Sequence, residues 1–290
     1  MSRILRVLDN SANAQQARVG QMTKEELRSL EAWFQKYLDR FRDGDGVLHP
    51  MLELKRCHSI RVAENAAFIA VSLKAPEPEK YLAEGAGLIH DVGRFIQYAE
   101  YGTFGDVDTV DHGIEGRKVL ETEDTPFLNS PGDREQLLCA VEYHNKSRKD
   151  IPRDLSREQD RLLRLTRDAD KLDIMELILC ITASHDFQDL STMLPRIRLC
   201  REVSPEVLQE AQNTQSVSYG NLSTLGDILV LIATWFYELN YLSALRLAME
   251  RDVLSRIRSE LPEEEAIDDL FAGITFRASG FMEDLQCTEK

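Results

Sequence analysis

The chain has 290 residues, of which 43% are hydrophobic and 29% charged, and its 35 Lys and Arg against 50 Asp and Glu give a formal net charge of −15. This length suffices to bury a large core, and the acidity argues against a broad contact with duplex DNA or an anionic membrane. A small anionic substrate is still compatible with it, because a metal ion or a few arginines can hold such a substrate locally.

Cysteine usage and apolar runs indicate the cellular compartment. The five cysteines are dispersed without a CxxC pair, which is typical of reduced thiols. The N-terminal apolar stretch is too short for a secretory leader, and the longest apolar run, 228–237, is too short to span a bilayer. We therefore expect a cytoplasmic protein.

Helical signals dominate the first half of the chain. Thr23 and Glu26 form a capping box that opens a helix, which we expect to stop at the 43–46 turn. Further segments are predicted as a helix over 50–73, a helix over 79–92, a loop over 93–109 and a short helix over 110–120.

The second half continues the pattern. Ser130-Pro131, Ser156 with Gln159, and Ser204-Pro205 are helix starts. The first two predict helices that end near residues 144 and 183. A long amphipathic segment covers 223–260 and ends at Pro262, and a short helix with a loose end is predicted after it. We find no convincing β-hairpin signal, so the fold class is all-α, with an N-terminal helical extension (1–49), a core (50–185) and a C-terminal helical segment packed on that core (186–290).

Ionisable side chains recur on the apolar faces of these helices. A lone inward histidine is usually an ordinary core residue, and a buried carboxylate usually needs a partner. When five helices each send one such residue inward, a shared metal site becomes the simplest interpretation. The five residues are His58, His90, His112, His144 and Asp170.

The dipeptide His90-Asp91 needs a further step, because adjacent residues on a helix do not face one another. Val92-Gly93 after it indicates that the helix ends or bends there, which would free Asp91 to face the same ion. The same dipeptide occurs again as His185-Asp186, without comparable companions, and we interpret that pair as surface or helix-cap chemistry.

Five motifs, in this order, resemble the HD-domain superfamily and its metal-dependent phosphohydrolases over about residues 50–185. They are CHSIRVAENAA (57–67), GLIHDVGRF (87–95), VDHGIEG (110–116), AVEYHNK (140–146) and RDADKLD (167–173). The resemblance implies a helical bundle around a metal centre. It assigns the four ligands that name the family to His58, His90, Asp91 and Asp170. It assigns the extra ligands of the dinuclear branch to His112 and His144, with Asp91 as the bridge.

The chain departs from this pattern at one point. Several dinuclear relatives carry His-His where this chain has His144-Asn145, so the second metal site is expected to be weaker, completed by water or sometimes empty. The GYP signature of cyclic-di-GMP phosphodiesterases is absent from the sequence. One or two divalent ions are expected, and the ligand types suit Mn, Fe, Co, Ni or Zn without choosing among them.

Cations and aromatic residues close to these motifs are the candidate substrate contacts. Arg94 and Lys146 are predicted to act on phosphate oxygens, and Asp91 to position a metal-bound hydroxide, so these three are the candidate catalytic residues. The basic residues Arg157, Arg161 and Arg164 are interpreted as a solvated helix face. Tyr98, Tyr101 and Phe104 either stack on a base or sugar or pack a lid. The predicted substrate contacts are Arg94, Tyr98, Tyr101, Thr103, Asn145, Lys146 and Arg148.

Three functions follow as hypotheses. The first is a phosphodiesterase or phosphomonoesterase that hydrolyses a nucleotide or another small phosphate ester. The second is a di-iron oxygenase of the HD superfamily that cleaves a C–C or C–P bond, and the third is a nucleotide-binding module without turnover. The short step from His144 to Asp170 and the neighbouring cations favour the first. The expected partner is a small phosphorylated substrate, and neither duplex nucleic acid nor a membrane is expected to bind. The apolar stripe of residues 228–249 is interpreted either as part of the core or as the interface of a homodimer formed through the C-terminal helices.

Overall fold

The structure of the chain is a computed structural model that describes residues 22–106, 109–123, 125, 130–185 and 187–288, without the side chains of residues 188, 189, 192 and 281–288. The described residues form helices and no β-strand, which confirms the all-α prediction. In chain order the helices are α1 (Lys24–Leu38), α2 (Pro50–Ser72), α3 (Glu77–Ile89), α4 (Val92–Tyr101), α5 (His112–Thr122), α6 (Pro131–Tyr143), α7 (Arg157–Ser184), α8 (Gln188–Met193), α9 (Pro205–Thr214), α10 (Leu225–Thr234), α11 (Leu242–Glu250), α12 (Val253–Ser259) and α13 (Glu265–Thr288).

Helices α2 to α7 enclose the centre of the molecule. Helix α2 packs on α3 and α7, while α4, α5 and α6 each pack on the next one along the chain. Helix α1 covers α3 from outside. The ends of these helices therefore meet in the interior, where side chains from five of them can share one site.

Local capping explains most helix starts. The predicted capping boxes at Thr23 and Ser156 are both formed, and Ser130 caps α6 through its hydroxyl. The imidazole of His49 caps α2, since its Nδ1 accepts a hydrogen bond from Met51 N at 3.2 Å. Such caps satisfy amide groups that no helical carbonyl can reach.

The loop predicted over 93–109 is wrong in its first half, because α4 continues to Tyr101. Phe95 and Gln97 are buried on this helix, and Gly102, with φ of 68°, ends it in the left-handed conformation. The Gly, Tyr and Asp content of the segment suggested a loop, but burial of one face overrides the weak helix propensity of these residues.

The long amphipathic segment over 223–260 is divided into three helices, α10, α11 and α12. The buried carboxylate of Asp168 accepts hydrogen bonds from the backbone amides of Asn240 at 2.8 Å and Tyr241 at 2.9 Å, which fixes a non-helical turn before α11. Burial raises the pKa of Asp168 to about 6, and the three hydrogen bonds that Asn240 and Tyr241 donate counteract this rise. Asp252, with φ of 53°, separates α11 from α12.

The apolar stripe of residues 228–249 lies mostly within the chain's own core. Ile228, Ile232, Trp235 and Leu245 are buried, and Met249 is exposed. The tail after residue 262 is longer than predicted, because Ile267, Phe271 and Ile274 extend the apolar face into the 24-residue helix α13. Among the described helices, none is long and apolar enough to cross a membrane.

Candidate metal centre

Four buried imidazoles converge where the central helices meet. His58 lies within α2, His90 and His144 directly follow α3 and α6, and His112 begins α5. The Nε2 atoms of His58 and His90 are 3.2 Å apart, and those of His112 and His144 are 3.0 Å apart. The histidines thus form two pairs, which we call the first pair (His58, His90) and the second pair (His112, His144).

Asp91 lies between the two pairs. The chain leaves helical geometry at this residue, with φ of −102° and ψ of 16°, as the expected bend before Val92-Gly93 requires. Its Oδ2 is 3.5 Å from His58 Nε2, whereas its Oδ1 is 3.3 Å from His112 Nε2. One carboxylate therefore presents a separate oxygen to each pair, which is the geometry of a bridging ligand.

Asp170 adds a second carboxylate to the first pair only. Its Oδ1 lies 3.2 Å from His58 Nε2 and 3.5 Å from His90 Nε2. Two groups of side chains could each hold a metal ion, His58 with His90 and Asp91, and Asp91 with His112 and His144. The structure thus brings together all six residues that the sequence singled out as metal ligands.

Two glycines permit this convergence, because a side chain there would collide with backbone. A Cβ on Gly87 would lie 2.7 Å from Ala63 Cα, so α3 approaches α2 closely beside the first pair. A Cβ on Gly93 would lie 2.1 Å from the carbonyl oxygen of His112, so α4 approaches α5 closely beside the second pair.

Each pair contains one imidazole oriented by a backbone carbonyl. His90 Nδ1 is 2.7 Å from Gly87 O, and His144 Nδ1 is 2.8 Å from Val141 O. A carbonyl oxygen only accepts, so each Nδ1 carries the proton and each Nε2 presents its lone pair to the centre.

Each pair also contains one imidazole oriented by a carboxylate. His58 Nδ1 donates to Asp173 Oδ2 at 2.6 Å, and His112 Nδ1 donates to Asp106 Oδ2 at 2.7 Å. The arrangement of carboxylate, histidine and metal is a common second layer of metal sites. Four lone pairs and two carboxylates facing one another need a cation between them, so the donor set fits divalent transition metals.

At Asp91, His112 and His144 the electrostatics favour the protonation states that metal binding needs, whereas His90 is the exception. Burial would raise the pKa of Asp91, but Lys55 and the neighbouring imidazoles hold that pKa well below its usual range. Burial and the charge of Arg94 lower the pKa of His112 to about 3, and burial lowers the pKa of His144. Burial also acts to lower the pKa of His90, but the charges of Asp91 and Asp170 outweigh it and raise that pKa.

Three residues of the site were missed at the level of sequence. Lys55 is buried one helical turn before His58, and its Nζ donates to Asp91 Oδ2 at 2.7 Å. Lys55 lies three residues before His58 on the same face of the helix, and this spacing could have indicated from the sequence that Lys55 belongs to the site. Asp173 lies three residues after Asp170, so the same spacing could have indicated it. Asp106 lies in a loop, where helical periodicity gives no indication.

Arg94 lies at the edge of this cluster with its orientation fixed. Its Nη1 donates to Gln97 Oε1 at 2.8 Å, Phe104 O at 2.5 Å and Asp106 Oδ1 at 2.8 Å. Its Nε lies 3.7 Å from Asp91 Oδ1, and within the described part of the chain it is buried without a hydrogen-bond partner. One donor of the guanidinium is thus held beside the candidate bridge and is not used by the fold.

The aromatic residues of the following segment pack on one another. Tyr98 contacts the rings of His49 at 5.0 Å and Phe104 at 4.9 Å between centroids, and Phe104 is buried. Tyr101 is 47% exposed at the end of α4. The hydroxyl of Thr103 accepts from Gly105 N at 3.3 Å. Of the two roles considered for these rings, Tyr98 and Phe104 fulfil the packing one.

The polar residues after His144 are bound to protein groups. Lys146 forms an ion pair with Asp111, and Asn145 Nδ2 donates to Asp111 Oδ1 at 3.1 Å. Asn145 Oδ1 is buried without a partner among the described residues. The exposed Arg148 donates from Nη2 to Glu238 O at 3.1 Å, which links the C-terminal segment to this rim.

The residues interpreted as peripheral lie away from the cluster. Arg161 pairs with Glu79, and Arg164 pairs with Asp160, as expected of a solvated face. His185 ends α7 in the left-handed conformation, with its Nδ1 2.9 Å from Thr182 O, while its neighbour Asp186 lies outside the described residues.

Fold and site define an all-α protein with a buried cluster of four histidines and two aspartates that could hold divalent metal. The family model of the HD domain matches residues 56–175. Residues 56–175 therefore correspond to an HD domain, a domain typical of metal-dependent hydrolases, and the resemblance to HD domains noted from the motifs is confirmed for this part of the chain. No curated protein and no solved structure gives a significant match.

Proposed function

We propose that this protein is a metal-dependent phosphohydrolase, a phosphodiesterase or phosphomonoesterase, that acts on a nucleotide or another small phosphate ester. One observation carries the proposal: the two oxygens of the buried Asp91 face two separate histidine pairs, with the Arg94 guanidinium alongside. Divalent ions held by such ligands supply an activated water and neutralise charge on a phosphoryl group.

The chain's own cations provide the remaining electrostatics. Arg94 Nε donates no hydrogen bond in the described fold and lies 3.7 Å from Asp91 Oδ1, and a phosphoryl oxygen is an acceptor that suits it. Lys55, already at Asp91 Oδ2, adds a second positive charge inside the site. In a chain of net charge −15, these two side chains give a small anion one favourable place to dock.

Lys146 and Arg148 have a different role in this proposal. Both lie at the rim and both are engaged with protein groups, Asp111 and the Glu238 carbonyl. They would meet the part of the substrate that projects from the phosphate, and exchange those partners for it. Tyr101, exposed at the end of α4, offers a ring face to a base or sugar.

The test is a hydrolysis assay with the full chain, Mn²⁺ and a panel of nucleotides, one generic phosphodiester and one phosphomonoester. We expect metal-dependent release of product, abolished in Asp91→Asn and in His90→Asn. The matched control is His185→Asn, which changes the same residue type in the second His-Asp dipeptide, outside the cluster.

Three results would contradict the proposal. Turnover that survives in Asp91→Asn would place the chemistry elsewhere. Nucleotide binding without product, or oxygen consumption by the iron-loaded protein with a polyol or phosphonate, would assign the same residues to a binding module or to an oxygenase.

A further inference from the structure

Asp106 accepts hydrogen bonds from both a metal-facing histidine, His112, and the arginine beside Asp91, Arg94. Its Oδ1 and Oδ2 lie 2.8 and 2.7 Å from His112 Nδ1. The same Oδ1 accepts from Arg94 Nη1 at 2.8 Å and from Gln97 Nε2 at 3.0 Å. Asp106 Oδ2 therefore accepts from the imidazole of His112. Asp106 Oδ1 accepts from the same imidazole, from the guanidinium of Arg94 and from the side-chain amide of Gln97.

The corresponding carboxylate of the first pair makes no such connection. Asp173 orients His58, but its other partner is Arg61, which it binds at 2.6 Å from Nε to Oδ1. The Arg61 side chain is 43% exposed and lies on the outer side of α2. Asp173 thus links its histidine to the protein surface, whereas Asp106 links its histidine to the interior cation at Asp91.

We propose that Asp106 is a positioning residue that couples metal binding at the second pair to anion binding at Arg94; the coupling rests on the metal centre of the proposed function. The His112 imidazole, which would be fixed when His112 holds a metal ion, donates to Asp106, and Asp106 accepts from Arg94 and helps to hold it in place. By reciprocity, an anion bound to Arg94 must strengthen metal binding at the second pair by the same factor.

The position of Asp106 makes this coupling adjustable. The residue lies in the connection between α4 and α5, not on a helix, and Gln97 holds the other side of that connection through Thr109 Oγ1 at 2.8 Å and Val110 O at 2.9 Å. Loss of the Asp106 carboxylate would remove the acceptor of His112 Nδ1 and the charged acceptor of Arg94 Nη1 together, while the helical framework of the first pair stays intact.

The experiment is a calorimetric Mn²⁺ titration of the full chain, with and without inorganic phosphate, followed by the magnetic resonance signal of spin-coupled manganese. We expect two Mn²⁺ ions in the wild type, the weaker one bound more tightly when phosphate is present. In Asp106→Asn the weaker site should lose about 10–100-fold in affinity, as is typical for partners of ligating histidines. The phosphate effect and the coupled signal should disappear, with the tighter site unchanged.

The matched control is Asp111→Asn, which removes one carboxylate from the same connection. Asp111 caps α5 and pairs with Lys146, and its described contacts include no histidine ring. Asparagine still caps a helix, so this variant should keep both Mn²⁺ affinities and the phosphate effect. If Asp106→Asn and Asp111→Asn lose Mn²⁺ affinity and the phosphate effect equally, the loss results from removing any negative charge in this connection, and the proposal is overturned.

Two further outcomes keep the test decisive. If Asp106→Asn does not fold, the variant Arg94→Gln is tested in its place. We expect Arg94→Gln to abolish the effect of phosphate on Mn²⁺ affinity, while its Mn²⁺ affinity without phosphate stays within about threefold of the wild type. An effect of phosphate that persists in this variant would overturn the coupling. A wild type that binds one Mn²⁺ ion overturns it too. The titration uses no substrate, so its result is independent of the hydrolysis assay. Two coupled Mn²⁺ ions in a protein without any turnover would support the coupling role of Asp106 and would refute only the proposed hydrolase activity.

Discussion

The two histidine pairs of the centre share one plan but differ in how the fold supports them. The first pair has Asp170 as a carboxylate of its own, and Asp173 on the long helix α7 orients His58. The second pair shares Asp91, and Asp106 in a connecting loop orients His112. A site with more charged ligands on rigid helices binds a cation more tightly, so the first pair should hold its ion firmly and the second more weakly.

The largest expected effect comes from removing the carboxylate that distinguishes the first pair. Asp170→Asn should weaken Mn²⁺ binding at that pair by at least about 100-fold and lower kcat by about 10³-fold, because a ligand and a charge are both lost. Calorimetry and the hydrolysis assay measure this. In His144→Asn we expect the tighter Mn²⁺ site to persist. Loss of both Mn²⁺ sites in His144→Asn would contradict the conclusion that the first pair binds its ion more tightly than the second.

Backbone packing beside the second pair gives the next effect. Gly93→Ala should destabilise the fold by about 3 kcal/mol or more, because its Cβ would lie 2.1 Å from His112 O and α4 must move away from α5. The check is urea unfolding of the metal-free protein. Gly132→Ala is the control, since the nearest atom to its Cβ would be 4.0 Å away, and a similar loss in both would contradict the argument.

Metal removal should separate the pairs by stability. Chelation of the fully loaded protein should lower the free energy of unfolding by about 3 kcal/mol for each site that was saturated at about 100 times its Kd. Thermal unfolding during a stepwise chelator titration should therefore show the weaker ion leaving first with a small drop in Tm. A single-step loss would mean that the two sites are equal.

The smallest expected effect comes from Asp227, a buried carboxylate that lies outside both histidine pairs and serves as a reference. Asp227 accepts hydrogen bonds from the backbone amides of Ser204, Ser223 and Thr224, and although burial opposes it, these bonds lower its pKa. A carboxylate with a lowered folded-state pKa stabilises the protein above the unfolded value near 4, and this contribution is lost as the pH falls through the folded value.

We therefore expect Asp227→Asn to cost about 2 kcal/mol at pH 7, with the difference from wild type shrinking as the pH falls below about 4. Unfolding curves between pH 3 and 7 test this. Mn²⁺ affinity should be unchanged, because α10 contributes no residue to either pair. A difference that grows in acid would have the wrong sign.

Sequence patterns predicted the helices wherever a cap or a clear apolar stripe was present. Helices α2, α6 and α7 agree with prediction within a few residues, because Pro50, Ser130 and Ser156 mark their starts. These patterns were insufficient where tertiary contacts decide. Buried Phe95 extends a helix into an apparent loop, and Asp168 divides the amphipathic segment over 223–260 by binding the amides of Asn240 and Tyr241.

The site divides in the same way. The sequence by itself determined which ionisable residues face inward, since helical periodicity reports the side of a helix and the HD motifs report the ligand types. Only the tertiary structure decided that His58 pairs with His90 and His112 with His144, and that each pair meets a different oxygen of Asp91. Those distances depend on how closely helices far apart in sequence approach at Gly87 and Gly93, and on a loop carboxylate, Asp106, that no periodicity marks. A one-dimensional pattern encodes the face of each helix, but the contact between two faces is set by packing.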